Sequence, residues 1–447
     1  MSIKKSLYNE LILESNDGSR TIDLIGGAIL FEYYEDIFSP TITAKIKIID
    51  NGNVIATADN PDGDRQSIYN GLPLRGGERL ALKIAGNSST NPGLDFSKRS
   101  DDYFYVSSIT DVIFETNRET FTLHLVSREA LTNETTRVSK KFPTSLRISD
   151  SVQNILKDYL KTNKIGTIDK SSNKYGFIGN LRKPFTVLVW LASKAVPESS
   201  GSATAGFLFY QTQDGFQFRS LDDLLLQKPK ATYTYTEAQE SYDENDKKVN
   251  NDFKILNYYT DRNQNLIEKL RLGTYASHRM FFNPLNFSFS KPEEGVFRQS
   301  DYVGKTKNLG DRLKLPPLFP GSDKTLGDVP TRIITAVLDI GTMERDASTS
   351  PNSDPKEYQS QSLMRYNTMF TQSVNIVVPS NTNLKAGDII ECNFPKITNS
   401  SAKEFDKEQS GLYMIKELCH HFDVENSYTS MKLIRDTFGV NVEARKT

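Results

Sequence analysis

Cysteine is scarce in this chain. Its 447 residues hold two, Cys392 and Cys419, too few for a disulfide framework at this length, and a reducing compartment fits. Tryptophan occurs once, as Trp190, and histidine four times, as His124, His278, His420 and His421. An excess of either charge is lacking too: 55 Lys and Arg face 56 Asp and Glu, for a net charge of −1. Such a balance has none of the basic surplus of a dedicated nucleic-acid binder. No apolar run nears the ~20 residues that a membrane-spanning helix needs. Residues 1–13 are polar and charged, without the apolar stretch of a signal peptide. The expectation is a soluble protein made in the cytoplasm, with no membrane-spanning segment.

Catalytic signatures are missing as well. Gly201-Ser202-Ala203 is not the Gly-x-Ser-x-Gly of a nucleophile elbow. No phosphate loop occurs, and Ile25-Gly26-Gly27-Ala28 lacks the spaced glycines of a dinucleotide site and fits a strand turn or bulge. Cys419-His420-His421 is metal-like, but zinc needs three or four converging ligands, and neighbours on a strand face opposite ways. Cys392 could join Cys419 only across strands, and Cys419 reads as a small buried apolar residue. Asp222-Asp223 and Glu293-Glu294 are adjacent carboxylates. A glycosidase needs two carboxyls facing each other across a cleft, so both pairs read as surface charge. No catalytic, cofactor-binding or metal-binding residue is expected.

What the chain does have is β pattern. Hydrophobic residues make up 37% and charged residues 25%, as in a globular protein, and 25 Phe and 20 Tyr favour sheet. Ile42, Ala44, Ile46 and Ile48 alternate with Thr43, Lys45 and Lys47, a strand with one buried face. Leu80, Leu82 and Ile84 repeat the pattern; further strands are expected over 103–114 and through Phe121, Leu123 and Leu125. Residues 50–71 and 86–101 read as polar loops. Several short antiparallel strands point to a barrel.

The pattern then changes. Ser149 or Asp150 can cap a helix whose stripe is Val152, Ile155, Leu156, Tyr159 and Leu160. Pro184 opens a second helix with Phe185, Leu188, Val189 and Ala192 as its stripe, ended by Pro197. Phe207, Phe209, Asp214-Gly215, Phe216 and Phe218 form a hairpin pattern, the aromatics covering the helices of the same unit. The stretch 256–271 looks partly helical and 275–290 extended. From 295 to 360 long loops with one or two strands are expected.

The end of the chain echoes its beginning. Leu74-Arg75-Gly76-Gly77-Glu78 and Leu384-Lys385-Ala386-Gly387-Asp388 each precede a strand, with Gly77 and Gly387 at an offset of 310. The same offset carries Tyr103 onto Tyr413, Ile109 onto Cys419, Phe114 onto Val424, Phe121 onto Met431 and Leu123 onto Leu433. The expected fold class is mainly β with an α+β insertion: two antiparallel barrels related by internal duplication, with a helical unit between them. The expected boundaries are 1–138 for the first barrel, 139–232 for the insertion, 233–365 for a mixed connecting region and 366–447 for the second barrel.

Paired barrels around an inserted unit resemble the baseplate hub of contractile-tailed phages, which is similar to the N-terminal part of type VI secretion spikes. The insertion carries the resemblance in Pro184-Phe185, Trp190-Leu191-Ala192-Ser193-Lys194-Ala195, the hairpin from Phe207 to Phe218, and Arg219-Ser220-Leu221-Asp222. The resemblance implies tail-tube-like barrels, a homotrimer whose six barrels form a pseudo-sixfold ring, and a structural role without catalysis. It also implies a place in the virion tail baseplate, after assembly in the host cytoplasm. The implied partners are the tail tube protein, the central spike protein, other baseplate proteins and the tape measure protein. A type VI spike would carry a needle after its second barrel; here the needle is expected as a separate chain. The alternative is a tail-associated hydrolase of cell wall or polysaccharide.

Overall fold

The computed structural model describes residues 2–52, 55–57, 60–72, 74–98, 100–198, 204–237, 250–261, 265–291, 295–302, 307–310, 314–339, 355–397 and 405–439. Glu293-Glu294 and Gly201-Ser202-Ala203 lie outside them. The chain is mainly β, and 15 of its strands join one continuous sheet.

The first part begins with β1 (Tyr8–Glu14), β2 (Thr21–Asp23), β3 (Ala28–Asp36) and β4 (Thr43–Asp50). Strand β4 follows its alternation: Ala44, Ile46 and Ile48 are buried while Lys47 is exposed. Each such isoleucine contributes roughly 1.5–3 kcal/mol by burial. The expected loop over 50–71 carries a small hairpin, β5 (Ile55–Thr57) with β6 (Asn60–Gln66), and the turn of helix α1 (Ile68–Gly71). Then come β7 (Arg79–Ala85), the short β8 (Gly93–Phe96) inside the second expected loop, and the hairpin of β9 (Phe104–Glu115) and β10 (Arg118–Ser127). Antiparallel pairing runs β2–β1–β7–β9–β10–β4–β3. Between β2 and β3 lies one 3₁₀ turn, Ile25–Gly27, at the Gly-Gly dipeptide.

Helix α2 (Arg128–Thr135) leads into the α+β unit, which holds β11 (Lys141–Phe142), α3 (Ile148–Asp158), β12 (Ile165–Ile168), β13 (Phe177–Ile178), α4 (Pro184–Ala192), β14 (Phe207–Thr212), β15 (Gly215–Ser220) and α5 (Leu221–Leu225). Helix α3 starts at Ile148, ahead of the expected caps, because the Ser149 amide donates inward to Ser171 Oγ at 3.0 Å. Helix α4 opens on Pro184 as expected and stops at Ala192, ahead of Pro197. The aromatic hairpin forms, but its register pairs Thr212 with Gly215, so the two turn residues are Gln213 and Asp214. Gly215 instead opens β15 at φ +111, where an added Cβ would lie 2.5 Å from the Lys164 carbonyl. Phe207, Phe209, Phe216 and Phe218 all enter one core with Val152, Ile155, Leu156 and Leu188.

Residues 232–261, expected in the connecting region, supply strands to the last part of the sheet. These are β16 (Thr232–Tyr235), β17 (Lys254–Ile255) and β18 (Asn257–Asp261). Helix α6 (Leu266–Arg271) follows, then β19 (Ala276–Asn283), β20 (Ser288–Phe289), β21 (Val296–Arg298) and β22 (Arg332–Val337) in a sheet of their own. Helix α7 (Pro355–Thr368) begins inside the stretch 295–360 that was expected as loops and strands. The chain ends with β23 (Gln372–Pro379), β24 (Ile389–Asn393), β25 (Gly411–Asp423) and β26 (Ser427–Arg435). Here β16 pairs with β17 and β24 in parallel, and antiparallel pairing continues β24–β25–β26–β23–β18. Strands β17 and β18 are separated only by Leu256, whose amide donates to the Val377 carbonyl at 2.8 Å. Pairing of β25 with β3 joins the two ends of the chain into one sheet.

Candidate functional site

The junction of the three parts is the most constrained polar region of the molecule. Glu35, the last residue but one of strand β3, is 2% exposed. Its carboxylate accepts from Tyr33 Oη at 2.7 Å, from the Gln213 amide of the hairpin turn at 2.7 Å, and from the Ala386 amide ahead of β24 at 2.9 Å. One buried side chain therefore touches the first sheet region, the α+β unit and the last sheet region. Burial pushes its pKa up to about 7, against the opposing pull of these donors. Nearby, Lys416 pairs with Asp36 at 2.8 Å, and Lys385 pairs with Asp214.

A second buried network lies beside it. Arg365 of α7 reaches Asp222 of α5 at 3.0 Å and Asp436, just past β26, at 3.5 Å. Its guanidinium also donates to the Lys307 carbonyl at 3.0 Å, and Asp436 accepts from the Leu309 amide at 3.1 Å. Burial raises the Asp436 pKa, while Arg365 opposes it. Around both networks, Ile37, Leu208, Tyr210, Leu224, Ile389 and Met414 share one apolar core.

These carboxylates are occupied structurally. Asp222 accepts from the Thr204 amide at 2.7 Å besides its ion pair, and Asp223 takes the Ser220 hydroxyl at 2.6 Å at the start of α5. In the cleft lined by Lys83, Asp95, Lys98, Lys164 and Asp214, Asp95 pairs with Lys83 at 3.2 Å. The described residues hold no pair of free carboxyls facing across it.

Two apolar surfaces stand outside this core. The tip of the β9–β10 hairpin exposes Ile113 and Phe114, and the turn between β25 and β26 exposes Val424. The β19–β22 sheet exposes Phe287 (80%), Ile333 (65%) and Val337 (66%).

No protein-family model matches the chain. It is similar to a "Probable baseplate hub protein gp334" of Vibrio phage KVP40, with 23% identity over 288 residues. The match covers 62% of this chain, and the chain spans 62% of that relative's length. Among solved structures it resembles a tail protein from Neisseria meningitidis MC58, with a TM-score of 0.52 and 9% identity, over 96% of this chain and 97% of that one. It also resembles the 43 kDa tail protein of prophage MuSo2 from Shewanella oneidensis, with a TM-score of 0.50 and 8% identity, over 96% and 98%. The chain has a phage tail-protein fold.

Within that fold the histidines separate. His420 points inward, stacks on Tyr33 with centroids 6.1 Å apart, and bonds Thr429 Oγ1 at 2.9 Å; burial pulls its pKa down to about 3. His124 bonds Thr110 Oγ1 at 2.9 Å on an exposed surface. Cys392 is fully buried. Cys419 and His421, two apart on β25, share the opposite face from His420 and meet Glu32 of β3. Trp190 is part exposed and packs edge-on against Tyr175 and Phe177. Sequence reasoning missed Glu35 and Arg365, whose single-residue signals are those of ordinary surface charges.

Proposed function

We propose that this chain is a structural baseplate hub of a phage contractile tail, without catalytic activity. The carrying observation is that its two sheet regions repeat one plan. Strand β1 pairs with β2 and β7, and β2 bends at Ile25–Gly27 into β3, which pairs with β4. Strand β16 pairs with β17 and β24, and β17 bends at Leu256 into β18, which pairs with β23. On this reading each region is a six-stranded tube-like barrel that its bent strand would close. Strand β16 runs the opposite way to β1, the one departure in direction.

Hydrogen bonding at the repeated glycines supports duplication. Gly77 donates to the Val106 carbonyl at 2.7 Å and the Val106 amide to Glu78 O at 2.9 Å; Gly387 and Ile415 repeat this at 2.8 Å, with Ile415 donating to Asp388 O at 2.9 Å. Both glycines have left-handed backbone, φ +95 and +91. Glu78 accepts from the Arg75 amide at 2.8 Å, and Asp388 from the Lys385 amide at 2.9 Å.

The units follow: a first barrel over 1–138, the α+β unit over 139–232, a connecting region over 233–365 and a second barrel over 366–447, the last taking in the strands of 232–261. Three chains bring six barrels into a ring, which fits a sixfold tail tube on one side and a threefold central spike on the other. The exposed β19–β22 surface suits contact with other baseplate proteins. The tape measure protein would end in the lumen, and assembly takes place in the host cytoplasm before the chain joins the virion.

Immunogold labelling of intact tails with antibody to this chain tests the placement. Gold at the baseplate end only is expected. Gold along the tube, or wall hydrolysis by the pure protein that is lost on changing one carboxylate, would overturn the hub.

A further inference from the structure

Strands β3 and β25 pair across the line where the two sheet regions meet, and their register sets three metal-ligand types on one face. His421 lies directly opposite Glu32, and Cys419, two residues earlier on β25, lies opposite Tyr34. A Cys sulfur, a His nitrogen and a carboxylate oxygen from these residues all lie within 4.8 Å of one another. Glu32 and Cys419 are buried and His421 nearly so. We propose that Glu32, Cys419 and His421 bind a thiophilic divalent cation of the zinc class, which clips the first sheet region to the last.

The donor set suits that chemistry. A tetrahedral zinc with bonds of about 2.0–2.3 Å separates its ligand atoms by roughly 3.3–3.6 Å, and these atoms lie within 4.8 Å of one another, so side-chain shifts of up to about 1 Å seat the ion. The His421 ring is already held for ligation. Its Nε2 bonds Ser430 Oγ at 3.0 Å, and the ring stacks on Tyr428 with centroids 4.4 Å apart. Outer partners of this kind fix the tautomer and aim of a ligating histidine. Its Nδ1 is then left 2.8 Å from Glu32 Oε1, buried and without a hydrogen bond. In the tautomer whose Nε2–H donates to Ser430, a cation beside Nδ1 and Oε1 takes the place that a proton holds in the other tautomer. Tyr34 Oη donates to the other oxygen, Glu32 Oε2, at 2.8 Å and leaves Oε1 available.

One group opposes the ion. Lys45 pairs with Glu32 Oε2 at 2.5 Å, and its side chain is 39% exposed, free to swing into water. Binding exchanges charges in a simple balance: the Cys419 thiol proton passes to solvent, a Cys419 Sγ–metal bond forms, and no electron changes hands. The site stands on strand register alone, so its failure would leave the hub proposal untouched.

The test uses the full chain, dialysed against chelator under reductant and titrated with Zn²⁺, with Co²⁺ as an optical probe. One metal per chain is expected, with a thiolate-to-cobalt band in the near ultraviolet and a raised melting temperature. Cys419→Ser or His421→Ala should weaken binding by more than ~100-fold, and Ser430→Ala by about 10-fold, in the range of outer-shell partners. Lys45→Met should tighten it, a gain that a misfolded variant cannot mimic. Cys392→Ser should leave the cobalt spectrum unchanged. Absence of a stoichiometric ion in both the natural chain and Lys45→Met, or binding that survives Cys419→Ser, would overturn the site.

Discussion

At the scale of single residues, the buried polar groups decide the junction. Glu35 titrates near pH 7 in the folded chain and near its ordinary 4.5 when unfolded. Between those values the folded state keeps a proton that the unfolded chain has released, so stability falls as pH rises from about 4.5 through about 7. The span is up to ~3 kcal/mol. Urea unfolding across this window should show the decline in the natural chain and a flatter profile in Glu35→Gln; parallel profiles would rule out this origin. Arg365→Ala leaves Asp222 and Asp436 buried without their cation, and should cost about 3–5 kcal/mol by the same measurement. Neither residue was legible in the sequence. A lone Glu or Arg reads as surface charge, and burial of such a group depends on donors that come from elsewhere in the chain, here Gln213 and Ala386 for Glu35. Alternation on β25 was legible, yet it separates only neighbours: it parts His420 from Cys419 and His421 and leaves those two together.

At the scale of elements, apolar rhythm carried over wherever one face is buried. Strands β4, β7 and β10 and helix α4 stand where the pattern placed them, because each buries a regular set of side chains. Helix α7 was missed for the opposite reason. Its buried residues are largely polar, Ser360, Gln361, Ser362 and Arg365, with Met364 among them, so no apolar stripe marks it. The aromatic hairpin was legible in its strands but not in its turn, since Gly215 serves a close approach to Lys164 rather than the turn itself. Phe216→Ala at the centre of that core should cost about 3–5 kcal/mol in chemical unfolding. Gly387→Ala forces a side chain into left-handed backbone, with its Cβ 2.4 Å from Tyr210 Oη, and should cost ~1–3 kcal/mol. A neutral result at Gly387 would mean that the repeated turn is not under the constraint drawn here.

At the scale of the whole molecule, the proposed repeat of one strand plan matters more than any site. The sequence echo runs at an offset of 310, whereas the hydrogen bonds at the two glycines set Val106 against Ile415, an offset of 309, and Phe104 rather than Tyr103 against Tyr413; strands β16–β18 lie outside the echo. They precede α7 in the chain, and nothing in their short runs says which sheet they join. The hairpin tip leaves Ile113 and Phe114 more than half exposed, with Phe114 meeting Tyr69 edge-on. Changing both to Ser should cost only about 1 kcal/mol, the worth of the pair with Tyr69, and yet reduce association between chains, read by sedimentation. A hub of this kind must associate, and light scattering on the purified chain, with averaged electron micrographs of the main peak, measures whether it does. A mass near three chains and a ring of six lobes is the predicted result. A monomer at high concentration, unchanged by added spike protein, would contradict it.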